Sequence, residues 1–200
     1  MKWCRSVDGS MVGILAIQGN YQMHANMLAR LNVETVFVKK TSDLLKCSSL
    51  IIPGGESTVI SKLMVKYNLF DSVKDFSINH GIFGTCAGLI MMAKNTLKEL
   101  KTLEVIDAEV LRNAWGRQID SFTANIEINF DEVYDFKATF IRAPKIMNIS
   151  KTVKLLGSIN SEPVIIQEGK HLATTFHPEM HGDTLIHKHF LKMVGEIDWV

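Results

Sequence analysis

The run VGILAIQ at residues 12–18 most limits what this chain can fold into, because it is apolar almost throughout and stops at Gly19. A strand with one face in water alternates polar and apolar residues; a run without a polar face belongs to a strand covered on both sides, as in a parallel sheet. Parallel strands need crossovers, and the next segment supplies one. In YQMHANMLARL (21–31), Met23, Met27 and Leu31 recur at i, i+4 and i+8, which predicts a helix packing that face on the sheet. VETVFVKK (33–40) predicts a second strand. SLII (49–52) predicts a third, ended by Pro53-Gly54-Gly55, which cannot continue a ladder. Ser57 or Thr58 is placed to cap a helix over VISKLMVKYN (59–68), a weaker helical stretch follows, and GIFGT (81–85) reads as a fourth strand. This alternation defines the α/β class, with right-handed crossovers, a mostly parallel central sheet and helices on both faces.

From about residue 103 the texture changes to strand after strand: EVIDAEVLR, IDSFTANIEINF, ATFIRAP, TVKLLGSI and PVIIQEGKHLATTF, the last with Glu168-Gly169 at a hairpin turn. These are expected to extend the sheet or to add a small antiparallel one. DTLIHKHFLKMVGEI (183–197) predicts a closing helix with Ile186, Phe190 and Val194 on one face. Residues 1–10 precede the first strand and read as an extension outside the fold, and 11–200 as a single domain. At 46% hydrophobic content that length can bury a full core.

The formal charge of +1 comes from acids and bases mixed along the chain, so nothing marks a surface for nucleic acid. No apolar run approaches a membrane span, and the first ten residues lack the apolar core of a secretory signal. Cys4, Cys47 and Cys86 are odd in number and widely separated, unlike a disulfide framework or a zinc site, so a reducing cytoplasm is expected.

Ligands of open α/β sheets bind beyond the carboxyl ends of the strands, and two loops there carry chemistry. In GTCAG (84–88), Cys86 occupies a strand-to-helix elbow of the G-x-S-x-G kind, where flanking glycines remove obstructing side chains. A helix N-terminus favours thiolate there, and the Ala87 N–H faces a developing oxyanion, with a second donor available from Gly55 in PGGEST (53–58). Taken alone, Cys86 reads equally well as a buried structural thiol. A base decides: TTFHPEMHGD (174–183) supplies His177 after a strand, with Glu179 two residues on to hold its other nitrogen. His177, Glu179, His181 and Asp183 also crowd as metal ligands do, but a single loop without a second cluster does not predict a metal, and none is expected. His187 and His189, on the closing helix, are expected to face solvent or a partner. GLIMMA (88–93) reads as the buried face of the elbow helix. Trp115 is either a core anchor or part of an interface.

With PGGEST, GTCAG and HPE in order, the chain resembles class I (triad) glutamine amidotransferases from residue 12 onward. GILAIQG, RNAWGRQIDSF, IRAP and FHPE narrow the resemblance to the glutaminase subunits of pyridoxal 5'-phosphate synthase. It departs from them at Asn20, where aspartate is common, and at Met180, where leucine follows HPE. The resemblance implies a flavodoxin-like sheet and hydrolysis of L-glutamine by Cys86 as nucleophile, His177 as proton carrier and Glu179 as its orienter. It further implies a substrate gripped by Gly54, Gly55, Glu56, Arg112, Ile141 and Arg142. No cofactor is implied. The implied partner is a (β/α)8 synthase subunit that receives ammonia through a channel and activates the glutaminase in a large hetero-oligomer. Because a Gly-Gly peptide turns over at little steric cost, the oxyanion hole near Gly55 is expected to be incomplete until that subunit docks. The alternatives are the glutaminase of another pathway, a DJ-1-like cysteine hydrolase or chaperone, and a non-catalytic regulatory partner.

Overall fold

A nine-stranded sheet runs through the whole molecule. The computed structural model describes residues 11–94, 100–112 and 121–197; the proposed extension at 1–10, Cys4 and Trp115 lie outside the described residues. In chain order the elements are β1 (Met11–Leu15), α1 (Tyr21–Arg30), β2 (Thr35–Val38), α2 (Thr41–Leu44), β3 (Cys47–Ile52), α3 (Ser57–Lys66), α4 (Phe70–Asn79), β4 (Gly81–Thr85) and α5 (Ala87–Met92). They continue with β5 (Ala93–Lys94), β6 (Ile106–Leu111), β7 (Ser121–Asn129), β8 (Val133–Ile141), β9 (Lys145–Ile149), β10 (Lys154–Ile159), β11 (Glu162–Glu168), β12 (His171–Thr174) and α6 (Leu185–Met193).

The strand order is β2-β1-β3-β4-β12-β11-β10-β7-β8. The first five are mutually parallel, in the order of a flavodoxin-like sheet, and the last four continue it antiparallel. A second sheet, β5-β6-β9, stands apart. The late strands thus do both things the sequence allowed, and the antiparallel part is larger than expected. Three elements were not legible: the two-residue strand β5, whose Ala93 was read as part of the elbow helix, β9 and α2. Strand β9, KIMNI, has too mixed a polarity to signal itself, and α2 is a single turn held by the Asp43 carboxylate, which accepts from the backbone N–H groups of Lys39 and Lys40.

The apolar strands are sandwiched as their patterns require. On one side Leu50, Ile52 and Ile82 meet Ile60 and Met64 of α3, Phe70 and Val73 of α4, and Leu89 of α5. On the other, Ile14, Ile51 and Phe83 meet Leu28 of α1 and Ile186 and Phe190 of α6. Each such side chain contributes roughly 1.5–3 kcal/mol by leaving water, more than a helix cap at about 1 kcal/mol, so packing rather than capping fixes the helices. Two local expectations fail for that reason. The buried residues of α1 are His24, Ala25, Met27 and Leu28, so the stripe is rotated from the one Met23 would define and takes in a histidine. Helix α3 is capped by Glu56 rather than by Ser57 or Thr58, its side chain accepting from the Thr58 N–H at 3.5 Å.

Candidate active site

Four parallel strands, β1, β3, β4 and β12, share a carboxyl end, β3 stopping one residue short of β4 and β12, and the residues that follow them converge. Strand β12 pairs with β4 so that Thr174 lies opposite Thr85, and the Cys86 N–H donates to the Thr174 carbonyl at 2.8 Å. Cys86 then turns the chain into α5 with φ 50° and ψ −104°, a left-handed conformation that costs a non-glycine residue of order 1–3 kcal/mol. Close packing holds the elbow in that shape. A Cβ on Gly88 would stand 2.1 Å from the Ile52 carbonyl oxygen, and one on Gly84 would stand 2.6 Å from the carbonyl carbon of Gly88. The glycines flanking Cys86 are therefore required by backbone approach within the turn. The whole of α5 is buried, as GLIMMA predicts.

The base arrives three residues after β12. His177 is anchored by its own N–H, which donates to the Thr139 carbonyl at 2.9 Å, and its ring lines the same cleft as Cys86, whose Sγ–H donates to the Ile141 carbonyl at 3.8 Å. On the far side, His177 Nδ1 lies 2.8 Å from Glu179 Oε1. Burial pushes the His177 pKa down, but the electrostatic influence of nearby Cys86 and the hydrogen bond and charge of Glu179 outweigh it and raise the value well above the usual histidine range. Burial likewise pushes Glu179 up, and His24 and His177 more than reverse it, leaving the carboxylate ionised. For His177, held by the Glu179 carboxylate, the imidazolium is the favoured form here.

A cleft of about 270 Å³ opens at Cys86 and His177. Gly54, Gly55, Glu56, Ala87, Arg112, Ile141 and Arg142 all line it, and Glu179 sits behind it. Every site residue singled out from the sequence is thus brought together. Among the described residues Arg112 forms no ion pair: its Nη1 donates to Thr58 Oγ1 at 2.8 Å while the side chain faces the cleft. The Gly54–Gly55 loop is tied from two sides, since the Gly54 N–H donates to Thr85 Oγ1 at 3.0 Å and the Gly54 carbonyl accepts from the Asn20 N–H at 3.0 Å. Gln18 and Asn20 also line the cleft, and Gln18 Oε1 accepts from the Glu56 N–H at 2.9 Å. Sequence reasoning passed over Gln18 and noted Asn20 only as a departure from the resembled family; their place at the carboxyl end of β1, opposite PGGEST, is the signal that marks them.

The remaining histidines part company. His181 bonds to the Thr139 hydroxyl and Glu179 is committed to His177, so these two side chains of HPEMHGD are turned to different partners. His189 stacks on Phe130 at 3.6 Å between ring centroids. His187 does not face solvent: it is fully buried, its Nε2 2.9 Å from His24 Nδ1. The amphipathic period of α6 points this position inward, and its polarity alone suggested otherwise.

The fold is that of the class I glutamine amidotransferases. A solved glutamine amidotransferase superimposes with a TM-score of 0.88 at 39% identity, covering 93% of this chain and all of that one. The model of the SNO glutamine amidotransferase family matches residues 14–196, and the chain belongs to that family. Among its relatives, the pyridoxal 5'-phosphate synthase subunit PdxT of Francisella philomiragia is 43% identical over 91% of this chain and 98% of its own length. The protein of the same description from Dictyoglomus turgidum is 44% identical over 92% of this chain and 99% of its own. Among the described residues no helix is long and apolar enough to cross a membrane.

Proposed function

We propose that this chain is the glutaminase subunit of a pyridoxal 5'-phosphate synthase: it hydrolyses L-glutamine to glutamate and passes the ammonia to a synthase subunit. The observation that carries the reading is the line Cys86–His177–Glu179 at one end of a cleft into which Arg112 and Arg142 project.

Free glutamine brings an α-carboxylate, which suits the two guanidinium groups, and an α-ammonium, which suits the Glu56 carboxylate and the Ile141 carbonyl. Gly54 and Gly55 let the substrate lie against backbone. With His177 protonated, the Cys86 sulfur attacks the carboxamide carbon as thiolate. The oxygen takes the electron pair and is met by the N–H groups of Ala87 and Gly55. His177 gives its proton to the nitrogen, the C–N bond breaks, and ammonia leaves a thioester on Cys86. Water, losing a proton to His177, then attacks the thioester, glutamate departs, and the imidazolium is restored. Glu179 keeps His177 in the orientation and tautomer that this shuttle needs.

Ammonia released to solvent would be lost, so an acceptor subunit is part of the reading, and the curated relatives are themselves described as synthase subunits. Gly54 and Gly55 share the peptide whose carbonyl accepts from Asn20, and turning it over would reverse the Gly55 N–H. Docking of the synthase subunit is the event that sets this peptide for catalysis. A cysteine nucleophile alongside the unpaired Cys47 suits a reducing cytoplasm.

The test is ammonia release from glutamine by the chain alone and with a pyridoxal 5'-phosphate synthase subunit, using Cys86→Ala as the blank. Release that rises strongly with the partner and disappears in the variant is expected. Glutamine turnover indifferent to the partner would remove the pathway and keep the chemistry; no turnover in either state would remove the glutaminase.

A further inference from the structure

Behind the triad the buried polar groups continue. Glu179 uses Oε1 for His177, and its Oε2 is buried with no hydrogen bond of good geometry. The group closest to supplying one is His24 on α1, whose Nε2 lies 3.5 Å from Glu179 Oε2 and 3.3 Å from Thr85 Oγ1. His24 is fully buried, and its other nitrogen meets His187 Nε2 at 2.9 Å. His187 is also fully buried, and its Nδ1 has no partner. We propose that His24 and His187 are positioning residues for glutamine hydrolysis: a neutral imidazole pair that aims one N–H at Glu179 Oε2 and so holds the carboxylate square to His177. The inference rests on the glutaminase reading for its catalytic consequence, but not for the state of the two rings.

That state follows from counting protons. Burial opposes a charge on either ring, so each carries one N–H. The 2.9 Å contact holds one hydrogen, and there are two ways to place it. Were it on His24 Nδ1, His24 Nε2 would turn a lone pair toward an anionic carboxylate, and the His187 hydrogen would sit on Nδ1 as a buried donor without an acceptor. With it on His187 Nε2, the His24 hydrogen falls on Nε2, between Glu179 Oε2 and Thr85 Oγ1, and His187 keeps only an unmet acceptor. Orphaned buried N–H groups are rarer than orphaned acceptors, and the second arrangement also gives the carboxylate its missing donor. His187 therefore sets the tautomer of His24, and His24 orients Glu179. Because Thr85 Oγ1 also accepts from the Gly54 N–H, the same imidazole braces the residue beneath the glycine loop.

Two measurements test this. Nitrogen–proton NMR correlation on the full chain with isotope-labelled histidine should show His24 neutral and protonated at Nε2, with Nδ1 an acceptor, across about pH 6 to 9. An Nδ1–H tautomer, or a His24 that titrates in that range, overturns the proposal. Kinetics of the complex with the synthase subunit supply the second test. His24→Leu should lower kcat by roughly ten- to a hundredfold, the range seen when a partner behind a working side chain is removed, with KM for glutamine within about twofold. His24→Gln, whose amide N–H reaches the Nε2 position, should recover most of that loss. A His24→Leu enzyme with undiminished kcat, or a glutamine variant no better than leucine, overturns it as well. Absence of glutaminase activity in the unaltered protein would remove the proposed function and leave the NMR result standing, so the two failures are distinct.

Discussion

Gly54 lies directly against the imidazole of His177: a Cβ at Gly54 would stand 2.3 Å from His177 Cε1 and 3.3 Å from the Cβ of Cys86. The room in which base and nucleophile meet is thus provided by a glycine on a different loop, after β3. Gly54→Ala should push the His177 ring away from the sulfur. Displacements of about 1 Å at a reacting pair cost on the order of a hundredfold, so kcat/KM for glutamine should fall by at least that much. Thermal unfolding of the variant should move by only a few degrees, which separates displacement of the base from unfolding.

Glu179→Gln keeps size and burial but offers His177 Nδ1 an amide that favours the wrong tautomer. In a comparable hydrolytic triad the equivalent change costs about 10⁴ in kcat. A fall of roughly 10³–10⁴ in ammonia release, with KM for glutamine nearly unchanged, is expected from steady-state kinetics in the complex. A loss below tenfold would show that His177 does not need the carboxylate.

Arg142 faces the cleft from a left-handed backbone position, φ 42°, immediately after β8. If it holds the substrate carboxylate, Arg142→Met removes a charge-assisted hydrogen bond worth about 1.5–3 kcal/mol, or roughly ten- to a hundredfold in KM. The rate of thioester formation measured with saturating glutamine should change much less. An unchanged KM would assign carboxylate binding to Arg112 alone.

The buried histidines make stability depend on pH in a definite direction. Burial lowers the His187 pKa from 6.5 to about 3. Below pH 6.5 the unfolded chain therefore takes up a proton that the folded one refuses, and stability falls as pH drops. At pH 5 this one residue costs about 2 kcal/mol relative to pH 7. His177 has the opposite sign: its raised pKa contributes stability in full below pH 6.5, and that share is lost as pH rises through the folded value. Glu179, depressed, contributes above pH 4.5 and loses its share only in strong acid. His24, His171 and His189 are lowered by burial too and act in the same direction as His187. Urea unfolding at pH 5, 7 and 9 should show a maximum near neutrality; stability as high at pH 5 as at pH 7 would mean that these buried histidines are not held neutral.

What could be read from the residues was whatever local pattern determines. Runs such as VGILAIQ and SLII have one physical solution, and the loops that end them gave away Cys86, the Gly54–Gly55 pair and His177, because glycine, proline and a lone cysteine have few reasons to sit together. Where tertiary partners decide, pattern alone misled or said nothing. His187 was expected to face solvent or a partner and His24 drew no attention, yet the two are buried against each other. Glu56 replaced Ser57 and Thr58 as the cap because the loop before α3 is fixed by Gln18, from a strand far away in sequence. Strand β9 exists because β6 offers it an edge, which no property of KIMNI announces.

The pairing of Thr174 with Thr85 has a last consequence. Nucleophile and base follow two neighbouring parallel strands, so their separation is measured out by the sheet as by a ruler whose divisions are residues. A slip of one residue between β12 and β4 would carry His177 about 3.3 Å along the strand axis and turn every side chain of β12 to the opposite face. There is no partly misaligned form with partial chemistry. In a preparation of this protein, the fraction of molecules able to react is the fraction folded in register, and titrating the active sites counts correctly folded chains.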